Sequence, residues 1–314
     1  MKKILKKIFF LLVFAVICTS VFAQVKVYEN TTRPKTVRTN TKQNRILDIL
    51  EEAEVQVVPD GQIAVVEGNY KKGVFTKGRE VGISPYIICR YEVTQEFYQL
   101  VTGTNPSRFK TANGNENIEK RPVENVTWFD AILFCNELTK IVMDEIDCVY
   151  TISNIKYDGA NKIESADVTC NLDKAGFRLP TDAEWEFAAR GGLAGGWDNP
   201  YSGGDKPSKI CFSKQNSGGV THQVGLKEPN ALGLYDMSGN VSEWCWDWYS
   251  NLKAETVDNP KGPEKGTYKV ARGGNFNTDA FTRLEVTYRT NNLLPNFVND
   301  HLGFRICRSA DTEF

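Results

Sequence analysis

From Thr127 onward the apolar residues Trp128, Ala131, Cys135, Leu138 and Val142 recur at three- and four-residue steps, which lays one stripe along a helix. Thr127 and Asp130 form a capping-box-like start to it. A second helix is announced by Phe177-Arg178-Leu179-Pro180, a strand-like run, followed by Thr181 and Glu184 as a full capping box. It runs to Arg190 and stops at Gly191-Gly192. A third, short helix is capped by Thr94, carries Phe97, Tyr98, Leu100 and Val101, and closes at Gly103. Strands are predicted over residues 63–66, 81–91, 270–272, 284–289 and 302–307. Residues 149–170 read as a hairpin turning at Asp158-Gly159, and residues 195–219 hold too many turn formers for a regular element. The pattern is that of a loop-rich chain with short strands and a few helices.

The first 23 residues have another character. A basic start is followed by an apolar run over residues 8–19 and by Ala23. The run is too short to span a bilayer and reads as a cleaved secretory signal, which places the mature chain in the periplasm, in the cell envelope or outside the cell. A lipid anchor at Cys18 ranks second, because Val16 and Ile17 are bulky where such a signal takes small residues. Residues 24–60 are rich in Thr, Asn, Lys and Arg, with one helical pattern through Ile46, Leu47, Ile49 and Leu50, and read as an exposed polar linker. The folded domain is predicted over 61–310.

Residues 229–248 fit neither period. Trp244, Trp246 and Trp248 stand together, and Asp236 and Glu243 flank a Ser238-Gly239-Asn240 turn. The stretch reads as a compact loop. A hard cation such as calcium, which mixes carboxylates with backbone carbonyls, would fix its backbone. A tryptophan-rich plug whose carboxylates cap nearby amides would do so as well. A net charge of −1 gives no electrostatic case for nucleic acid. His222 and His301 are the only histidines, so a three-histidine metal site is excluded. Beyond Cys18 there are seven cysteines, none paired at zinc-ligand spacing. Cys148 and Cys170 stand at the two ends of the hairpin, where either a bridge or two thiols would serve.

Six phrases occur in order: residues 91–94 (YEVT), 121–128 (RPVENVTW), 177–190, 230–244, 272–274 (RGG) and 302–305 (LGFR). Together they resemble the formylglycine-generating enzyme, or sulfatase-modifying factor, family over roughly residues 62–309. The resemblance implies a single α+β domain of the C-type-lectin-like kind. It also implies a calcium ion held by Asp236, Gly239, Val241 and Glu243, the glycine and valine through their carbonyls. The family's activity is the oxygen-dependent conversion of a substrate cysteine to formylglycine on a copper(I) ion held by two thiolates, the soft ligands this ion selects.

Aligned from Gly273-Gly274, those two cysteines fall on Thr278 and Arg283, and no cysteine lies between Cys245 and Cys307. Copper is therefore not expected. The family's serine is replaced by Asn275, and a tryptophan by Ser242. In some members a cysteine at the position of Cys135 is bridged to the C-terminal strand. Here the partner would be Cys307, one residue beyond the matching place, and two buried thiols are the other reading. The expectation is an envelope binding module. Its groove, near Asn275, Phe276, Thr278, Arg283, Tyr288, Arg289 and His301, would take a peptide or glycan or dock on an envelope complex. The competing readings are formylglycine-type oxidation, altered chemistry at Tyr288, His301 and Arg289, or a structural role.

Overall fold

The computed structural model describes residues 41–56, 64–67, 73–111, 114–160 and 162–310. The signal and Cys18 readings lie outside these residues. The described chain from Lys42 onward belongs to one compact unit. Among the described residues five α-helices and twelve short strands are joined by long loops, as the α+β reading expects.

Helix α1 (Thr41–Ala53) corrects the linker reading. Its stripe buries Ile46 and Leu50 in the core beside Phe97 and Phe134. Arg45 pairs with Glu96 at 2.7 Å. The chain then runs into β1 (Glu54–Gln56), which pairs antiparallel with β4 (Tyr86–Cys89). The polar composition of 24–60 hid this, since a helix with one buried stripe is mostly polar by count.

Helices α2 (Gln95–Thr102), α3 (Trp128–Val142) and α4 (Asp182–Ala189) form where their caps predict. Thr94 accepts from the Phe97 amide, and both capping boxes are closed in both directions. A one-turn α5 (Pro207–Ile210) interrupts the loop predicted for 195–219. β2 (Ala64–Glu67) and β8 (Thr256–Asp258) flank β3 (Glu80–Ile83) in a small sheet. β5 (Tyr150–Tyr157) and β6 (Ile163–Cys170) form the predicted hairpin.

Residues 229–248 are only partly loop. Residues 242–248 are strand β7 (Ser242–Trp248), which lies inside a four-stranded sheet with β9 (Lys269–Arg272), β10 (Thr290–Leu293) and β11 (Leu302–Gly303), in the order β10-β9-β7-β11. The strand shows no polar–apolar alternation because both its faces are covered. The strand predicted at 284–289 is likewise displaced. A 3₁₀ turn (Phe281–Arg283) and a bend precede β10, which pairs with β9 across an irregular register. The run 302–307 breaks into β11 and β12 (Cys307–Ser309), and β12 pairs with the free side of β4.

At the start of β9, in the four-stranded sheet, Lys269 is almost wholly buried. Its Nζ donates to the Trp246 carbonyl at 2.9 Å and lies 3.8 Å from the ring centroids of both Trp128 and Trp248. Burial holds its ammonium well below the ordinary lysine range.

Candidate functional site

The loop before β7 turns through residues that hold left-handed backbone, with φ +58° at Asp236, +89° at Gly239 and +56° at Asn240. Gly239 is obligatory on a second ground. A Cβ there would lie 2.2 Å from the Phe212 carbonyl oxygen. The turn delivers Asp236 and Glu243 to a buried cluster that also contains Glu92 and Arg305.

Arg305 grips Glu243 with Nε on Oε2 at 2.7 Å and Nη2 on Oε1 at 2.8 Å. Trp185 Nε1 donates to the same Oε2 at 2.6 Å. Glu92 accepts from the Val241 amide at 3.0 Å and from Asn240 Nδ2 at 2.7 Å. Asp236 Oδ2 accepts from the Gly225 amide at 2.8 Å, whereas its buried Oδ1 has no partner. Burial, with Glu243 nearby, pushes the Asp236 carboxyl up to about 6. Burial and the neighbouring Asp236 and Glu243 carboxylates raise Glu92 well above the usual carboxylate range.

Three buried carboxylates thus face one guanidinium. The charge excess and the orphaned Oδ1 fit a hard dication with oxygen ligands. Among the described residues no three His, Cys, Asp or Glu side chains are grouped to hold a metal, so backbone carbonyls would have to complete the set. Glu92 was missed in the sequence. Its signal was its place in the YEVT phrase, but nothing local ties it to residues almost 150 positions away.

The residues expected to line one groove are divided. Asn275, Phe276 and Thr278 form a tight turn: Asn275 N donates to Thr278 Oγ1 at 3.0 Å, and Asn275 Nδ2 to Ser242 Oγ at 3.1 Å. Phe276 packs edge-on against Phe109 at 5.2 Å and lies 6.5 Å from the His301 ring. His301 Nδ1 faces Asp300 at 3.2 Å, and Arg108 closes on the same carboxylate. Beneath, Glu124 accepts the Arg108 and Phe109 amides, and burial pushes its carboxyl up to about 7.

Arg283 is exposed on the 3₁₀ turn. Arg289 belongs elsewhere: its Nε bonds Asp182 Oδ2 at 2.6 Å, and its guanidinium stacks 4.7 Å over Tyr249. Tyr288 is engaged through its backbone: its carbonyl accepts from Arg272 at 2.8 Å and its amide donates to the Glu285 carbonyl at 3.0 Å. Among the described residues no hydrogen bond joins Tyr288, His301 and Arg289 to one another. Arg289 instead joins a buried network in which Arg272 also pairs with Asp182 and Glu186.

All seven described cysteines are free thiols. The hairpin register sets Tyr150, not Cys148, opposite Cys170, and Cys148 points its sulfur at the Asn136 carbonyl at 3.6 Å. Cys307 is engaged by Arg178 Nη1 at 3.1 Å and is not bridged to Cys135. Burial raises both of these thiols well above the usual thiol range, which leaves them inert.

Residues 48–310 match the family described as sulfatase-modifying factor enzyme 1-like domain. The chain belongs to this family. The sulfatase-modifying-factor-like chain is 35% identical over 274 residues to the chaperone protein LppX of Paenibacillus barcinonensis, covering 80% of this chain and 90% of that one. It is 40% identical over 161 residues to the formylglycine-generating enzyme of Streptomyces coelicolor, covering 46% of this chain and 51% of the relative, so this match spans about half of the enzyme's length. In the structure of Treponema denticola variable protein 1 the fold recurs with a TM-score of 0.68 at 32% identity, over 81% of this chain and 94% of that one. The C-type-lectin-like α+β expectation holds. Among the described residues of this sulfatase-modifying-factor-like chain, no helix is long and apolar enough to cross a membrane.

Proposed function

We propose that this sulfatase-modifying-factor-like chain is an exported binding module that receives a polypeptide at the Asn275–Phe276–His301 surface without oxidising it. The observation that carries the reading is the chemistry at the two copper positions. Thr278 is a hard hydroxyl already bonded to the Asn275 amide, and Arg283 is a permanent cation. Neither supplies the soft thiolate that copper(I) requires. The extended match to a protein described as a chaperone supports a role in handling another chain. The aromatic pair Phe109 and Phe276, with Asp300, His301 and Ser242 around it, offers apolar contact and hydrogen bonds to an extended peptide.

The test is to incubate the protein with oxygen, copper(I) and a fluorescent cysteine peptide of sulfatase type, and to follow anisotropy and aldehyde together. Binding without aldehyde, weakened about tenfold or more by Phe276→Ala, is the expected result. Aldehyde formation would overturn the non-oxidising part, and absence of binding the recognition part.

Calcium is proposed as the stabilising ion of the loop. Asp236 and Glu243 would hold it by their carboxylates, and Gly239 and Val241 by their carbonyls. The ion would supply charge compensation and no chemistry. At 100 times its dissociation constant a ligand of the folded state adds about 2.7 kcal/mol, so calcium is expected to raise the melting temperature by several degrees over chelator. Asp236→Asn should abolish that rise while remaining at least as stable in chelator, since it removes an uncompensated buried charge. A wild-type protein indifferent to calcium, or an Asp236→Asn variant that still responds, would refute this assignment.

A further inference from the structure

Asp247, on β7, lines a cleft of about 580 Å³, a size typical of small-ligand sites. The side chain is only 5% exposed. Its Oδ2 accepts the Asp182 amide at 2.8 Å. Among the described residues it forms no ion pair, because the cations around it are committed elsewhere. Arg289 pairs with Asp182 at 2.6 Å, Arg79 with Glu255 at 3.0 Å, and Lys269 points its Nζ at the Trp246 carbonyl. Gly262, with φ +71°, lies against the other oxygen. A Cβ at this position would come within 3.1 Å of Asp247 Oδ1, so the glycine leaves that oxygen uncovered.

A buried carboxylate without a direct ion-pair partner is costly. Burial and the nearby Asp182 push this carboxyl up to about 8, and the Asp182 amide, Arg289 and Lys269 offset this only in part. The lining of the cleft is mixed, with Val74, Leu252, Val257 and Pro260 as its apolar part. Lys253 and Lys261 also line the cleft but are exposed, where solvent and salt screen them.

We propose that this cleft is a recognition site for an alkylammonium group, with Asp247 as the counter-ion and the apolar part of the lining as the seat of its methylene stem. The site is separate from the Phe276 surface, and nothing in it depends on that surface binding a peptide. A lysine side chain of a partner polypeptide and a free small amine carry the same group.

The test titrates the full chain at pH 8, by NMR or calorimetry, with three probes: N-acetyl-lysine methylamide, its norleucine counterpart and hexalysine. The lysine derivative should bind and the norleucine derivative should not. Asp247→Asn, which keeps the bond from the Asp182 amide, should weaken binding at least tenfold without lowering the melting temperature. Asn251→Trp, a plug at an exposed position of the cleft wall, should do the same and guards against a misfolded first variant. Hexalysine binding more tightly than the single residue assigns the group to a polypeptide. Equal affinity per lysine assigns it to a free amine. The proposal is overturned by norleucine binding as well as lysine, by Asp247→Asn binding like wild type, or by no binding of either lysine probe.

Discussion

Arg305→Ala is expected to be among the most destabilising single changes in the domain. The guanidinium is wholly buried, and its removal leaves Glu243, Glu92 and Asp236 without a cation. Breaking one side of a buried pair in this way costs about 3–5 kcal/mol. Arg305 also donates to the carbonyls of Cys89 and Tyr235, both at 2.9 Å, so β4, the acidic loop and β7 lose a common tie. Arg305→Lys should recover only part of the loss, because an ammonium cannot reproduce the bidentate fork on Glu243. The measurement is urea unfolding in chelator at pH 7 and pH 5. Acid should narrow the gap to wild type, since protonating the stranded carboxylates removes their mutual repulsion. A loss below about 1 kcal/mol at pH 7 would show that the cluster is not held by this residue.

The second large effect concerns Asp247. Its carboxyl rises from an ordinary 3.8 to about 8 in the folded protein, so the folded state retains a proton that the unfolded chain releases. Stability contributed in this way is greatest at low pH and is lost as pH rises from about 4 to about 8. For one group shifted that far the span is on the order of 6 kcal/mol. Asp247→Asn should flatten that part of the curve and stand above wild type at pH 8. The check is chemical unfolding of both proteins at pH 5, 6.5 and 8, with Asp182, Arg289 and Lys269 left intact as the charges nearest the carboxyl. Parallel curves would mean that Asp247 has found a counter-charge.

What could be read from the sequence was what is encoded within a few residues. Thr127 with Asp130, Thr181 with Glu184, and Thr94 with Gly103 placed three helices, because a cap and its helix are neighbours in the chain. Helix α1 was legible as a helix but not as part of the domain. Its docking depends on Ile46 and Leu50 meeting side chains 50 and more positions downstream. Strand β7 was hidden because burial on both faces erases the period that marks a strand. The site was legible in the same uneven way. Asp236 and Glu243 stand close in sequence, whereas Glu92 and Arg305 reach them only through the fold. The resemblance set Arg289 near one groove with Asn275, and in the structure Arg289 bonds Asp182. Asp247 carried no signal, since an acid between two tryptophans says nothing about the cations that would or would not surround it.

The sheet β1-β4-β12 has a consequence for shortened chains. Its middle strand is flanked on one side by residues 54–56 and on the other by residues 307–309. Leu302 and Gly303 complete the sheet around β7, and Arg305 closes the acidic cluster. A chain that lacks residues 302–309 therefore lacks an edge of each of these two sheets and the cation of the acidic cluster. Each of these edge segments pairs with a strand far back along the chain, so a variant cut before Leu302 is expected to be digested by protease faster than the full chain.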